Sequence, residues 1–327
     1  MTGAAGGAPL RMLVWPGMPA PEALERVAAR LGVALDCETI CTNEQLEERL
    51  LAGERWDLVT PSDFMVERLA ARGLLAPLDA ALLPGRDALA PWARRPAWDP
   101  AERWSVPLAF GTTGVLHDRE RLPDAGSWRA LLDPPPGVVV GLLDEPREVI
   151  GAALLAAGER FDATDERALA AAGELLRRGG RAVARVDSGD FVSPVRDGLV
   201  AAHHAWSGPA AAAVRADPRL AYSLPGEGAV VWVTTVAIAA SCPRPALARA
   251  AIAALLDPEL ARITVEQHSY ATPNDAARRL LPAELRDDPV LFPSPATLRR
   301  AITIRDVDPA AQARLAALWA DVAAGAG

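Results

Sequence analysis

The chain has 327 residues, which is more than one average domain and predicts two lobes or domains. Half of the residues are hydrophobic and 23% are charged, a profile typical of a soluble globular protein. The net charge of −8 argues against nucleic acid as a partner and weakly favours a cationic ligand. No apolar run is long enough to span a bilayer.

The first part of the chain predicts three strand–helix units in succession. Pro21 opens the first helix, whose apolar residues recur at helical spacing until Gly32 ends it. The predicted elements are strands over 10–15, 33–40 and 56–60 and helices over 21–31, 45–53 and 64–73. This alternation predicts a largely parallel sheet covered by helices on both faces.

After an irregular stretch from about Ala76 to Ser105, a second α/β series begins near Pro107. Its predicted strands cover 137–143, 181–186, 201–208 and 229–240, and its predicted helices cover 147–158, 165–180, 245–269 and 310–325. Two α/β lobes commonly bind ligands in the crevice at the carboxyl ends of their strands.

Three cysteines, Cys37, Cys41 and Cys242, cannot all pair within one chain. Cys37 and Cys41 lie on the same side of a predicted strand and could pair only if the chain turned sharply between them. We expect buried free thiols, which leave the redox compartment open.

Residues 1–9 contain neither a charged n-region nor an apolar h-region, so no signal peptide is visible. Two alternatives follow: a native leader has been removed, or the protein is not exported by itself.

Seven segments, in order, resemble the spermidine/putrescine-binding proteins of bacterial polyamine ABC importers. They are LVW, WDLVTPSDFMVERLAARGLLAPLD, WSVPLAFGTTGVLHD, LLDEPREVIGAALLAAG, HHAWSG, LPGEGAVVWVTTVAIAA and HSYATPNDAARRLLP. The resemblance implies an α/β, two-lobed type II periplasmic binding protein fold, with a ligand cleft between the lobes and hinge crossovers near Gly111 and Thr234. The implied N-terminal lobe comprises residues 10–111 and 235–282, and the C-terminal lobe residues 112–234 and 283–327.

The resemblance also implies an aromatic wall for the ligand, formed by Trp15, Trp206, Trp232 and Tyr270. An ammonium gains roughly 0.5–2 kcal/mol over an indole face, and alkyl stems pack on the same ring. The alternative is that these tryptophans are ordinary core residues. Trp15 and Trp206 each end a predicted strand, and that position favours the cleft.

Glu145 and Glu148 lie three residues apart on one face of a predicted helix, and the resemblance implies that they hold an amine of the ligand. The alternatives are that they merely favour the helix N-terminus or that Arg147 neutralises one of them. Ser62 follows a buried strand, where its hydroxyl could bond to the ligand, cap the next helix, or do both.

Several positions depart from the family pattern. Thr234 stands where an acid normally pairs with a second amine, and Phe64 replaces an aromatic hydroxyl. The remaining departures are Pro16, Gly17, Met18 and Ile304. Because a buried ammonium without a partner is very costly, the ligand should carry fewer cationic groups than spermidine. Asp63 could instead supply a replacement carboxylate.

No P-loop, HExxH, GxSxG or tandem CxxC motif occurs, and the adjacent His203 and His204 should face opposite sides of their strand. We therefore expect no enzyme, no metal and no organic cofactor. The resemblance implies a monomer in the periplasm or at the cell surface that closes around a small amine and docks on an ABC transporter permease in the membrane. The alternatives are another ligand, such as an opine-like or aminophosphonate compound, or a cytosolic enzyme or regulator on this fold.

Overall fold

A computed structural model describes residues 8–298 and 301–325. The strands are β1 (Leu10–Val14), β2 (Leu35–Thr39), β3 (Leu58–Val59), β4 (Leu75–Ala76), β5 (Ser105–Asp118), β6 (Val140–Leu142), β7 (Val183–Val186), β8 (Ala202–Trp206), β9 (Leu220–Ser223) and β10 (Val230–Ala239). The helices are α1 (Pro21–Leu31), α2 (Asn43–Leu51), α3 (Asp63–Ala71), α4 (Arg129–Leu132), α5 (Pro146–Ala156), α6 (Glu166–Gly179), α7 (Ser193–Arg196), α8 (Ser207–Ala216), α9 (Pro245–Leu255), α10 (Pro258–His268), α11 (Asp275–Leu280), α12 (Ala283–Arg286), α13 (Pro295–Leu298) and α14 (Pro309–Gly325).

The chain forms two compact units, and neither is continuous in sequence. The first unit runs to Phe110 and includes Trp232–Asp288, whereas the second comprises Gly111–Val231 and the chain from Pro289 onward. Strand β5 carries the chain from the first unit into the second, and β10 carries it back. The lobe boundaries implied by the resemblance stay a prediction.

In the first unit the strand order is β2-β1-β3-β10, and β4 also pairs with β10. Strand β1 is parallel to β2 and to β3, with Leu13 opposite Val59. Strand β10 is antiparallel to β3 and β4, so the sheet is mixed rather than wholly parallel. The core packs α1, α9 and α10 against these strands, because each helix has an apolar face that loses its water there.

In the second unit the strand order is β5-β8-β6-β7, and β9 also pairs with β5. Strand β6 is parallel to β7 and β8, whereas β5 is antiparallel to β8 and β9. A second core joins this sheet to α5, α6 and α14. Each unit therefore brings the carboxyl ends of at least two parallel strands to one edge.

The predicted long helix over 245–269 is wrong, since two helices, α9 and α10, occupy that stretch. Pro258 has no N–H to continue the helical ladder, and it starts α10 instead. The side chain of Asp257 caps α10 by accepting the N–H of Glu259 at 3.0 Å. Similarly, the strand predicted to reach residue 208 ends at Trp206, where α8 begins.

All three cysteines are free, as predicted, but the expected burial is wrong for Cys37 and Cys41, which are both exposed. Strand β2, which carries Cys37, is the edge strand of its sheet, and its side chains are largely open to solvent. None of the helices in the described residues combines the length and the apolar character of a membrane span.

Candidate functional site

In the second unit, Glu148 and Trp206 meet at the edge where β6 and β8 end. These strands are parallel, so α5 after β6 and α8 after β8 begin at the same edge. The indole Nε1 of Trp206 donates to Glu148 Oε1 at 3.3 Å. Thr113 on β5 lies opposite Trp206 in the strand register. Two side chains predicted from sequence are therefore in direct contact.

The carboxyl group of Glu148 is only 7% exposed, and burial raises its pKa to about 7. The nearby Thr113 hydroxyl and the Trp206 indole N–H oppose this rise but do not cancel it. Oxygen Oε2 is buried and meets no donor in hydrogen-bonding geometry among the described residues. A partly ionised buried carboxylate with one open acceptor is suited to an ammonium group.

Neighbouring groups hold Trp206 and the backbone at Thr112 in place. Phe191 packs edge-on against Trp206, with ring centroids 5.8 Å apart. The Tyr222 hydroxyl donates to the Thr112 carbonyl at 2.8 Å, and burial raises the pKa of Tyr222, so this phenol stays neutral. Neither Thr113 nor Phe191 was predicted, because their positions depend on strand pairing between segments distant in sequence.

Glu145 is half-buried and precedes the first residue of α5, but its side chain does not cap that helix. Its carbonyl oxygen accepts the N–H groups of Glu148 and Val149, each at 3.0 Å. Arg147 donates to the Arg305 carbonyl at 2.5 Å. The predicted binding role of Glu145 stays a prediction.

In the first unit, Trp15, Ser62 and Thr234 lie at one edge of the sheet. Trp15 directly follows β1 and Ser62 follows the parallel strand β3. Ser62 forms an antiparallel bridge with Thr234 of β10. Trp232 lies two residues before Thr234, on the same face of β10, and packs edge-on against Tyr270 with centroids 5.7 Å apart. The sheet therefore gathers most of the predicted aromatic wall of this unit.

The loop after β1 is held tightly by its own backbone. Met18 N–H donates to the Trp15 carbonyl at 3.0 Å, and Gly17 between them has φ +71°. A Cβ on Gly17 would lie 2.7 Å from His268 Nδ1, so only glycine fits this turn. Among the departures from the family pattern, Met18 and Ile304 are both buried.

Hydrogen-bond donors dominate this edge of the first unit. The indole Nε1 atoms of Trp15 and Trp232 are buried, and neither has an acceptor within the described part of the chain. Asn43, which the sequence analysis missed, holds Ser62: its Nδ2 donates to Ser62 Oγ, and its Oδ1 accepts the Ser62 N–H, each at 3.0 Å. The Ser62 side chain makes no cap bond to α3. The capping alternative for Ser62 is therefore wrong.

Asp63 is the first residue of α3 and is only 2% exposed. Its Oδ1 accepts the N–H of Phe64 at 3.0 Å, and the ring of Phe64 is also buried. The positive end of the helix dipole favours a carboxylate there. Its role as a replacement acid for the ligand stays a prediction.

His203 and His204 are buried and pack against aromatic rings. His203 packs near Phe191 and His204 edge-on to Trp128, in accord with their predicted opposite orientations. Burial lowers the pKa of His203 to about 4 and that of His204 to about 3, so both are neutral. In residues 8–298 and 301–325 no group of three or more potential ligands is placed to hold a metal ion.

Comparisons with known proteins give consistent matches. A family model described as bacterial extracellular solute-binding protein matches residues 23–293. The spermidine/putrescine-binding periplasmic protein of Salmonella typhimurium is 30% identical over 297 residues, which covers 90% of this chain and 85% of that protein. The putrescine/cadaverine-binding protein of Pseudomonas aeruginosa is 28% identical over 331 residues, which covers 96% and 93%. A solved structure assigned to a spermidine/putrescine ABC transporter of Listeria monocytogenes superposes with a TM-score of 0.91 at 26% identity, over 97% of this chain and 99% of that one.

Proposed function

The chain belongs to the bacterial extracellular solute-binding proteins, and from this premise we propose that it captures a small amine for an ABC importer. The two-lobed periplasmic binding protein fold and the likeness to the polyamine-binding family are confirmed. The family binds and delivers solutes. Binding without chemistry is accordingly the function we propose.

The observation that supports an amine ligand is the environment of the Glu148 carboxyl group. Its carboxyl group is buried, one oxygen accepts the Trp206 indole N–H, and the other lies near the Thr113 hydroxyl but meets no donor in hydrogen-bonding geometry among the described residues. An ammonium would supply both the missing donor and the countercharge, and charge-assisted hydrogen bonds are the strongest available in such a place. The adjacent face of Trp206 adds cation–π and apolar contact. We therefore assign the ammonium end of the ligand to Glu148.

The relatives' names support a polyamine of the putrescine or spermidine type or a related amine. In our proposal, Trp15, Trp232 and Tyr270 of the first unit contact the rest of the same ligand. Such a ligand shifts the population toward a closed form by contacting both lobes, and the closed form docks on the permease. We further propose that the protein acts as a monomer in the periplasm or at the cell surface.

The direct test is calorimetric titration of the ligand-stripped protein with putrescine and spermidine. We expect micromolar or tighter binding of at least one amine. Glu148→Gln should weaken that binding about hundredfold, because it removes the only charge assigned to the ammonium. Glu174→Gln is the matched control, since Glu174 is an exposed glutamate on another helix of the same unit.

Binding that Glu148→Gln leaves unchanged would refute the assignment of the ammonium to Glu148. If neither amine binds, a screen of opine-like and aminophosphonate compounds distinguishes a different ligand from the cytosolic enzyme or regulator alternative.

A further inference from the structure

We propose that the ligand carries one ammonium group and ends, at its far side, in an uncharged hydrogen-bond acceptor such as an amide or hydroxyl oxygen. This inference rests on the proposed function and narrows the class of amine. Its basis is the first unit, whose edge carries two buried indole N–H groups that meet no acceptor among the described residues.

Among the described residues, the first unit has three buried indole N–H groups without an acceptor, those of Trp15, Trp98 and Trp232. Those of Trp15 and Trp232 belong to the sheet edge where β1 ends and β10 passes. A buried donor without an acceptor costs about 1–3 kcal/mol, so such groups normally face water or a ligand. A second ammonium has only donors and would leave both indoles unsatisfied. An oxygen acceptor would satisfy them.

The hydroxyl groups at the same edge also favour a hydrogen-bond acceptor on the ligand. Ser62 Oγ already accepts the Asn43 amide, so its own proton remains to be donated. Thr234, 4% exposed, is the bridge partner of Ser62 and adds a second neutral hydroxyl beside it. These two side chains can therefore reinforce the indole donors around one acceptor.

The acceptor should be uncharged, because none of the predicted binding residues that the structure describes at this edge is a cation that could balance a carboxylate. Of the predicted binding residues in this unit, Asp63 is acidic and the others are neutral at pH 7: Trp15, Ser62, Phe64, Trp232, Thr234 and Tyr270. The nearest charged side chain in sequence is Asp63, which is buried directly after Ser62 and would repel an anion. A buried anion without a countercharge is strongly disfavoured.

Three amines built on a chain of four carbons, counting the carboxylate carbon of 4-aminobutyrate, test the inference by calorimetry. Putrescine ends in a second ammonium, N-acetylputrescine in a neutral amide and 4-aminobutyrate in a carboxylate. We expect N-acetylputrescine to bind at least tenfold more tightly than either of the others. Trp232→Phe keeps a ring but removes the donor, and it should weaken N-acetylputrescine at least fivefold more than it weakens putrescine. Trp15→Phe serves as a second variant, and thermal unfolding verifies that each variant folds.

The other outcomes overturn the inference in separable ways. Tightest binding of putrescine, lost in Asp63→Asn, would show that the first unit holds a second ammonium, and the proposed function would stand. Tightest binding of 4-aminobutyrate would replace the neutral acceptor with an anionic one, again with the proposed function intact. No binding of any of the three amines would overturn this inference, and titration with spermidine followed by the compound screen described above would then test the proposed function separately.

Discussion

The two units differ in the chemistry that they present at the ends of their strands. The second unit places one buried carboxylate, Glu148, against an indole donor and raises its pKa to about 7. The first unit has, at the edge where Ser62 pairs with Thr234, the buried indole N–H groups of Trp15 and Trp232, which meet no acceptor in the described part of the chain. In our proposal, the edge of the second unit binds a cationic group and the edge of the first unit binds a hydrogen-bond acceptor. If the proposal holds, substitutions in the first unit alone distinguish the ligand of this chain from that of its polyamine-binding relatives.

The largest expected effect that separates the units is the pH dependence of affinity. Alkyl ammonium groups remain protonated between pH 5 and 8, whereas Glu148, with a pKa of about 7, loses its charge below neutrality. Amine affinity should therefore fall about hundredfold from pH 8 to pH 5. The neighbouring phenol of Tyr222 does not titrate in this range, since burial raises its pKa.

Calorimetry at pH 6.5 in two buffers of different ionisation enthalpy provides an independent readout, because ammonium binding should expel the proton of Glu148 into the buffer. Glu148→Gln should bind weakly at all pH values and release no proton. A flat pH profile in the unsubstituted protein would place the ammonium away from Glu148.

The second effect concerns the stability of the ligand-free protein. The pKa of Glu148 is raised in the folded state, so folding favours the protonated form and loses stability as pH rises from about 4.5 to about 7. Glu148→Gln should therefore raise the free energy of unfolding by about 2–3 kcal/mol at pH 8 and by much less at pH 5. Urea unfolding at the two pH values measures this difference.

If Glu148→Gln raised the free energy of unfolding equally at both pH values, the charged carboxylate of Glu148 would not be destabilising. The exposed control Glu174→Gln should change the free energy of unfolding little at either pH.

The third and smallest effect comes from a substitution that gives the first unit a buried carboxylate like that of the second. Thr234→Asp adds a carboxylate beside Ser62 and should raise affinity for putrescine about tenfold relative to N-acetylputrescine, because a second ammonium gains a partner. Asparagine has the size of aspartate without its charge, so Thr234→Asn should not change the ratio of the two affinities. If Thr234→Asp leaves the ratio of the two affinities unchanged, Thr234 does not contact the far end of the ligand.

Much of the fold could be predicted from hydrophobic periodicity and helix breakers. The first three strand–helix units lie close to their predicted positions, because each helix buries one apolar face and ends at a glycine or a similar breaker. The helix break at Pro258 could also have been predicted from the sequence. The short strands β4 and β9 were not predicted, since two to four residues carry too little periodicity.

The candidate site could be predicted only in part. Strand-end position and family resemblance identified Glu148 and Trp206, which are hydrogen-bonded. The placement of Thr113 depends on the register of β5 against β8, and that of Asn43 on a side-chain pair to Ser62. Local sequence patterns do not encode such long-range pairings, nor do they reveal which indole N–H groups lack an acceptor.

The interleaved path of the chain also constrains how the protein folds during synthesis. Strand β10, which pairs with both β3 and β4, enters the first unit only at Trp232, and helices α9 and α10 complete its core afterwards. The amino-terminal 110 residues consequently emerge from the ribosome without the strand and helices that bury their apolar surface. Pairings between such distant segments form slowly, so a nascent chain of this design stays unfolded for longer than one built from two contiguous domains. Slow folding of this kind would keep the chain suitable for a translocation channel that accepts only unfolded polypeptide.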